Sequence, residues 1–271
     1  MNLIEKKMVD QLIDLREHHN LIGVKAEFEA EGTRLEEALR LKEVVTKAGL
    51  DLTIKIGGCE ALKDLYDARS IGVTRIVGPM IESPYALKKF LISAHTAFPN
   101  EEFESVDFLI NIETIVACNA IHDIICTYDI TGLAGIVFGR VDLTGSLGLT
   151  REDVNSDRIF NIAEKVFAEA KSKKLAVGVG GGVSKESVPF LKRFSPNIVD
   201  YYETRKAIFK CPEALSGEYE KGILKAVGFE LMWLKNKRNF YGIIFDEDTQ
   251  RIEMLEKRYK RLIEEAGGQS E

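Results

Sequence analysis

Short apolar runs alternate with amphipathic segments along residues 3–203, and the alternation has two distinct periods. Seven runs read as buried strands: 22–28, 52–56, 75–81, 107–113, 133–139, 175–181 and 197–203. Each is short, rich in β-branched residues and flanked by glycine or polar residues. Between them, apolar residues recur at helical spacing. In 33–49, Leu35, Leu39, Leu41 and Val45 form a stripe, Thr33 and Glu36 have the spacing of a capping box, and Gly49 suits a helix stop. Further helices are predicted over 3–19, 59–70, 84–97, from the fourth strand to Tyr128, and over 156–173, where Ile159, Ile162, Val166 and Ala170 share a face. After residue 203 the alternation weakens to a helix at 214–236, a short apolar run at 240–245 and a charged helix at 249–265.

Strands alternating with helices predict a parallel sheet. Seven clear strands, and no GxGxxG after the first, favour a (β/α)8 TIM-type barrel over an open dinucleotide-binding sheet. The run 240–245 has two readings: a permuted eighth strand that closes the barrel, or an extension that packs on the barrel or on a neighbouring subunit. The expected division is a barrel body at 1–212 and a C-terminal helical segment at 213–271.

In a parallel barrel the ends of the strands carry the chemistry. Here those ends hold Glu27 and Glu29, Lys55, Pro79 and Glu82, Glu113, Arg140 with Asp142, the glycines 180–182, and Glu203 with Arg205. So many charges at one rim must be paired, solvated or bound to a metal. Glu113 and Asp142 follow adjacent strands, and two carboxylates there suit a hard divalent cation, Mg²⁺ or Mn²⁺. The residues alone also allow each acid to cap the helix that follows it. The glycine triplet has two readings as well: backbone N–H groups bared to a phosphate or sugar acid (Gly181 and Gly182), or a tight turn that needs positive φ.

Composition narrows the classes. The chain has 271 residues, 37 basic against 43 acidic, a net charge of −6 and 45% hydrophobic residues. That excludes a bulk nucleic-acid binder and allows a large core. No apolar run is long enough to span a bilayer, and the charged N-terminus does not read as a signal peptide. Cys59, Cys118, Cys126 and Cys211 lack zinc-ligand spacing, so a cytoplasmic protein with reduced thiols is expected. His18, His19, His95 and His122 all fall on predicted helices or their ends, away from the rim.

The segment 111–148 resembles the HpcH/HpaI aldolase and citrate lyase family. It contains Ile112-Glu113-Thr114 and then Gly139-Arg140-Val141-Asp142-Leu143-Thr144-Gly145-Ser146-Leu147-Gly148. "RIVGPMIES" (75–83) also resembles the family's third strand end. The resemblance implies a divalent-metal-dependent lyase, of class II aldolase or citrate-lyase type, acting on a pyruvate-like 2-oxo acid. By the same resemblance, Glu113 and Asp142 are the metal ligands. Lys55 stands where the family has an arginine, and it either touches the substrate or pairs with a carboxylate such as Glu27. Arg140 and the N–H groups near Gly145 and Ser146 are candidates for substrate binding. Ala30 occupies the family's histidine position, which leaves Glu29 as the candidate for proton transfer. The resemblance further implies a homo-oligomer, trimer or hexamer, assembled through C-terminal helices. Two alternatives stay open: a metal-dependent barrel enzyme on phosphoenolpyruvate or a phosphorylated sugar acid, and a non-catalytic barrel.

Overall fold

The computed structural model describes residues 1–99 and 101–267. The element order is α1 (Leu3–His19), β1 (Leu21–Glu27), α2 (Leu35–Lys47), β2 (Asp51–Lys55), α3 (Leu62–Ile71), β3 (Arg75–Gly78), α4 (Pro84–Ala97), α5 (Glu101–Glu104) and β4 (Asp107–Ile112). It continues with α6 (Ile115–Asn119), α7 (Ile121–Cys126), β5 (Leu133–Gly139), α8 (Arg140–Ser146), α9 (Asp157–Ser172), β6 (Ala176–Gly180), α10 (Val188–Leu191), β7 (Tyr201–Glu203), β8 (Ala207–Lys210) and α11 (Tyr219–Glu265). The strands form a closed barrel in the order β1 to β8.

The seven strands read from the sequence are all present and run parallel from β1 to β7. The closing strand is not the one expected. Residues 240–245 are helical, inside α11. The gap is filled by β8, which follows β7 after a three-residue turn and pairs antiparallel with both β7 and β1. A strand of four residues with one exposed end gives too short a run to stand out from the loop around it. The two helices expected at 214–236 and 249–265 are one helix of 47 residues. The capping box of α2 sits one residue later than expected: Arg34 precedes the helix, and its N–H donates to Glu37 at 3.2 Å.

The chain divides into two compact units, the first ending at Glu230 and the second starting at Leu231. Within the first, α1 and the opening turns of α11 lie against each other. Gln11 donates to the Lys225 carbonyl, and Lys225 pairs with Asp14. Among the described residues no helix is long and apolar enough to cross a membrane.

Strand periodicity sorts the side chains. One set, with Val24, Ala26, Ile54, Ile76, Ile110, Phe138 and Val179, is fully buried and apolar. The set inside the barrel is mixed. Val77, Leu109, Val137, Tyr201 and Ile208 form an apolar plug. Further along the strands come Lys25, Glu27, Lys55, Asn111, Glu113 and Glu203, all buried. Glycines on β5 and β6 make room for them. A Cβ on Gly178 would lie 2.3 Å from the Tyr201 ring, and one on Gly180 would lie 2.9 Å from Glu203. Gly178→Ala is therefore expected to cost about 1–3 kcal/mol by overpacking, read from the midpoint of urea unfolding. An unchanged midpoint would mean that the Tyr201 ring can move aside freely.

Candidate active site

The C-terminal ends of the strands carry a continuous set of charges. Lys25 on β1 has its ammonium 3.0 Å from Glu27 and bonded to Glu203 on β7. Lys55, one strand over, lies 2.9 Å from Glu29 and 3.4 Å from Glu113. Arg205 approaches Glu27 from the β7–β8 turn at 3.5 Å. Burial pulls the Lys25 and Lys55 pKa values down, but the carboxylates beside them reverse this, so both stand above the usual lysine value. Burial raises the Glu27 carboxyl, and Lys25, Lys55 and Arg205 outweigh it, so Glu27 titrates below its usual range.

Glu113 lies just past the end of β4 and is 2% exposed. Its carboxylate accepts from the Asn111 side chain at 2.7 Å, the Met80 N–H at 3.1 Å and the Lys55 ammonium at 3.4 and 3.5 Å. Met80 reaches it from a left-handed conformation, φ 42°, that side-chain-bearing residues seldom adopt. Gly139 gives Glu113 its space, since a Cβ there would lie 2.6 Å from the Glu113 Cβ. Glu113 does not cap the next helix. Thr114 does, accepting from the Ala117 N–H at 3.2 Å. Asp142 is exposed in the first turn of α8 and makes no hydrogen bond or ion pair among the described residues. The Glu113 pKa is nevertheless raised, first by burial and then by Asp142, against the lowering effects of Lys55, Met80 and Asn111. Burial, with the Asp142 charge as a lesser contribution, thus outweighs the lysine and the hydrogen bonds at Glu113.

The other expected residues divide. Lys55 and Glu29 join this constellation, with Glu29 partly exposed. Lys55 pairs with Glu29 and Glu113, not with Glu27. Arg140 does not face the site. It is fully buried, donates to the Gly180 and Gly181 carbonyls, Asn155 and Ser187, and lies over the Phe190 ring. Burial pushes its pKa down to about 10. Its guanidinium holds the β6 end to α8 and has no reach to a ligand. Gly145 and Ser146 end α8, where N–H groups bond back along the helix and are not free for a ligand. The Ser146 hydroxyl ties α8 to the start of α6, accepting from Ile115 N–H at 2.9 Å. Gly181 and Gly182 take φ of +76° and +65°, as the tight-turn reading expects. Gly181 packs so close to the start of α8 that a Cβ would lie 2.6 Å from the Arg140 and Val141 nitrogens. No histidine lies on a strand end: His19 closes α1, His95 is on α4 and His122 is on α7.

Asn111, Lys25 and Glu203 were not singled out from the sequence as site residues. Asn111 and Lys25 each precede a recognised acid by two residues on the same strand, the spacing that puts them on its face. A concavity of about 720 Å³ is lined by residues at or next to the starts of β4 and β5, such as Val106, Asp107 and Leu133. It lies at the opposite end of the strands from Glu113, so the rim acids, not the concavity, mark the site.

A family model for HpcH/HpaI aldolase/citrate lyase matches residues 33–181. The chain belongs to that family. The matched segment includes Lys55, Glu113 and Asp142, while Glu29 lies four residues before it. Similar solved structures include an HpcH/HpaI aldolase from Desulfitobacterium hafniense DCB-2, 16% identical, with a TM-score of 0.57 over 71% of this chain and 80% of that one. An HpcH/HpaI aldolase/citrate lyase family protein from Burkholderia cenocepacia J2315 is 14% identical, with a TM-score of 0.56 over 70% and 80%. The citrate synthase SbnG is 14% identical, with a TM-score of 0.56 over 86% and 90%. At these identities the structures share the fold. No curated protein matches the chain.

The buried ion network gives a test. Lys25→Met leaves Glu27 and Glu203 without their ammonium, a loss of about 3–5 kcal/mol at neutral pH. Glu27 has a lowered pKa, so its contribution is full above 4.5 and fades as pH falls through its folded value. The deficit of the variant should therefore shrink on acidification below pH 4.5. Denaturant titrations at pH 7 and pH 4 that gave equal deficits would sink this account.

Proposed function

We propose that the chain is a divalent-metal-dependent carbon–carbon lyase, of aldolase or citrate-lyase type, that acts on a 2-oxo acid. One observation carries this reading. Glu113 is buried, and its pKa stays raised by burial and by Asp142 although Lys55, Asn111 and Met80 all oppose it. Two hard oxygen donors in that condition fit a divalent cation, which would relieve their repulsion. Among the described residues no third acid, histidine or cysteine converges on them, so further coordination positions would be left to water and substrate. Glu113 and Asp142 would hold Mg²⁺ or Mn²⁺. When bound, such an ion supplies Lewis-acid stabilisation of the negative charge on an enolate oxygen.

The chain's own residues do the rest. Lys55 remains cationic at neutral pH because Glu113 and Glu29 raise its pKa against the pull of burial. Its ammonium would meet the substrate carboxylate or the enolate oxygen as a point charge, without the planar fork of an arginine. Glu29 lies 2.9 Å from Lys55 and is partly exposed, so it can exchange protons with solvent and with the carbon next to the keto group. It takes the part that a histidine at Ala30 would otherwise have. Met80 and Asn111 hold the Glu113 carboxylate in one orientation, and Arg140 ties the first turn of α8, which carries Asp142, to the β6 end.

The reading is tested by following hydrogen–deuterium exchange at the pyruvate methyl group by NMR with Mg²⁺ or Mn²⁺. Glu113→Gln and Asp142→Asn should each slow metal-dependent exchange by about 10²-fold or more, and Lys55→Met by a similar factor. Wild-type protein that exchanges with neither metal, and whose melting temperature neither metal changes, would contradict the proposal.

A further inference from the structure

The helix α11 carries a second pattern in its sequence. From Leu231 onward, positions separated alternately by three and four residues read Leu231, Leu234, Arg238, Tyr241, Phe245, Asp248, Ile252, Leu255, Tyr259 and Leu262. This is a heptad repeat with apolar a and d positions, the signature of a helix that winds about another. Leu231, Leu234, Phe245, Ile252, Leu255 and Tyr259 are each more than half exposed. A stripe of that size on a lone helix in water would be a liability. The repeat has two polar interruptions, Arg238 at an a position and Asp248 at a d position. Both are exposed, and neither makes an ion pair or hydrogen bond among the described residues.

We propose that residues 231–255 form an antiparallel two-stranded coiled coil with the same segment of a second copy of this chain. The stripe is its own complement when one helix is reversed about Ile243. Leu231 then meets Leu255, Leu234 meets Ile252, and Tyr241 meets Phe245. Each pairing joins an a position to a d position, as antiparallel coils require. In the same register Arg238 of each copy meets Asp248 of the other, so both interruptions are neutralised by one another. A parallel, in-register pair would instead stack Arg238 on Arg238 and Asp248 on Asp248, two like-charge contacts inside the seam. The charge pattern therefore selects direction as well as partner. The paired stretch is about 37 Å long at 1.5 Å per residue. The exposed apolar residues Phe240, Ile243, Ile244 and Met254 lie outside the stripe and are not covered by it.

The test uses the full chain. Sedimentation equilibrium is measured on wild type, Arg238→Asp, Asp248→Arg, the double swap, and an equimolar mixture of the two single variants. Each single swap should weaken self-association at least about ten-fold, because it puts two like-charge pairs in the seam. The double swap and the mixture should both recover it. All these positions are exposed, so the variants keep the fold, and circular dichroism checks that they do. In a Cys126→Ser background, Leu231→Cys mixed with Leu255→Cys should give a disulfide between chains, and Leu231→Cys alone should give none. The proposal fails if single swaps leave association unchanged, if the double swap remains as weak as they are, or if Leu231→Cys cross-links to itself. The last outcome would indicate a parallel pair or a parallel trimer.

Discussion

Lys25 is buried, and the upper half of the barrel is organised around its charge. A buried ammonium is tolerable only beside carboxylates, and Glu27 and Glu203 supply them from β1 and from β7. This ion cluster spans the seam where the sheet closes. The hairpin β7–β8 completes the barrel there, and it carries Glu203 on one strand and Arg205 in its turn. Closure and charge neutralisation are thus the same event. A parallel strand in the position of β8 would have needed a crossover connection, whereas a three-residue turn is enough for an antiparallel one.

The same logic extends around the rim to Lys55, which links Glu29 to Glu113. Net charge is nearly balanced on the β1–β2 side and deficient in positive charge on the β4–β5 side. At Glu27 three cations outweigh burial and lower the pKa, whereas at Glu113 burial outweighs Lys55 and raises it. Under the proposed function, this arrangement would supply one built-in cation, Lys55, and two carboxylates for a metal ion. Holding it costs stability, and the strain at Met80 belongs to that cost.

Small residues carry the positioning. Gly139, Gly178 and Gly180 stand opposite Glu113, Tyr201 and Glu203, and Gly181 lets the β6 turn lie against the first turn of α8. Arg140 then bonds to the carbonyls of that turn. A charged residue next to a recognised acid can thus be a strut for the loop that presents it. Its distinction from a ligand lies only in which way the side chain runs.

Periodicity by itself determined seven strands, their parallel order and the rim to which Glu113 and Asp142 belong, because a buried parallel strand needs a continuous apolar run and its end needs a break in it. The motif around 111–148 likewise marked Glu113 and Asp142 as candidates without coordinates. The heptad stripe of α11 is equally local, since it needs only one chain's spacing. Three things required the tertiary structure. The eighth strand was too short to stand out, and its pairing depends on partners distant in sequence. Arg140 and Ser146 were expected near a ligand, but long-range contacts with β6 and α6 draw them into the scaffold. Glu203, which pairs with Lys25, and Glu113, which pairs with Lys55, come from elements distant in sequence, and only closure of the barrel through β8 brings β7 within reach of β1. Local pattern decides which face a residue occupies, and the packing of remote segments decides what that residue meets there.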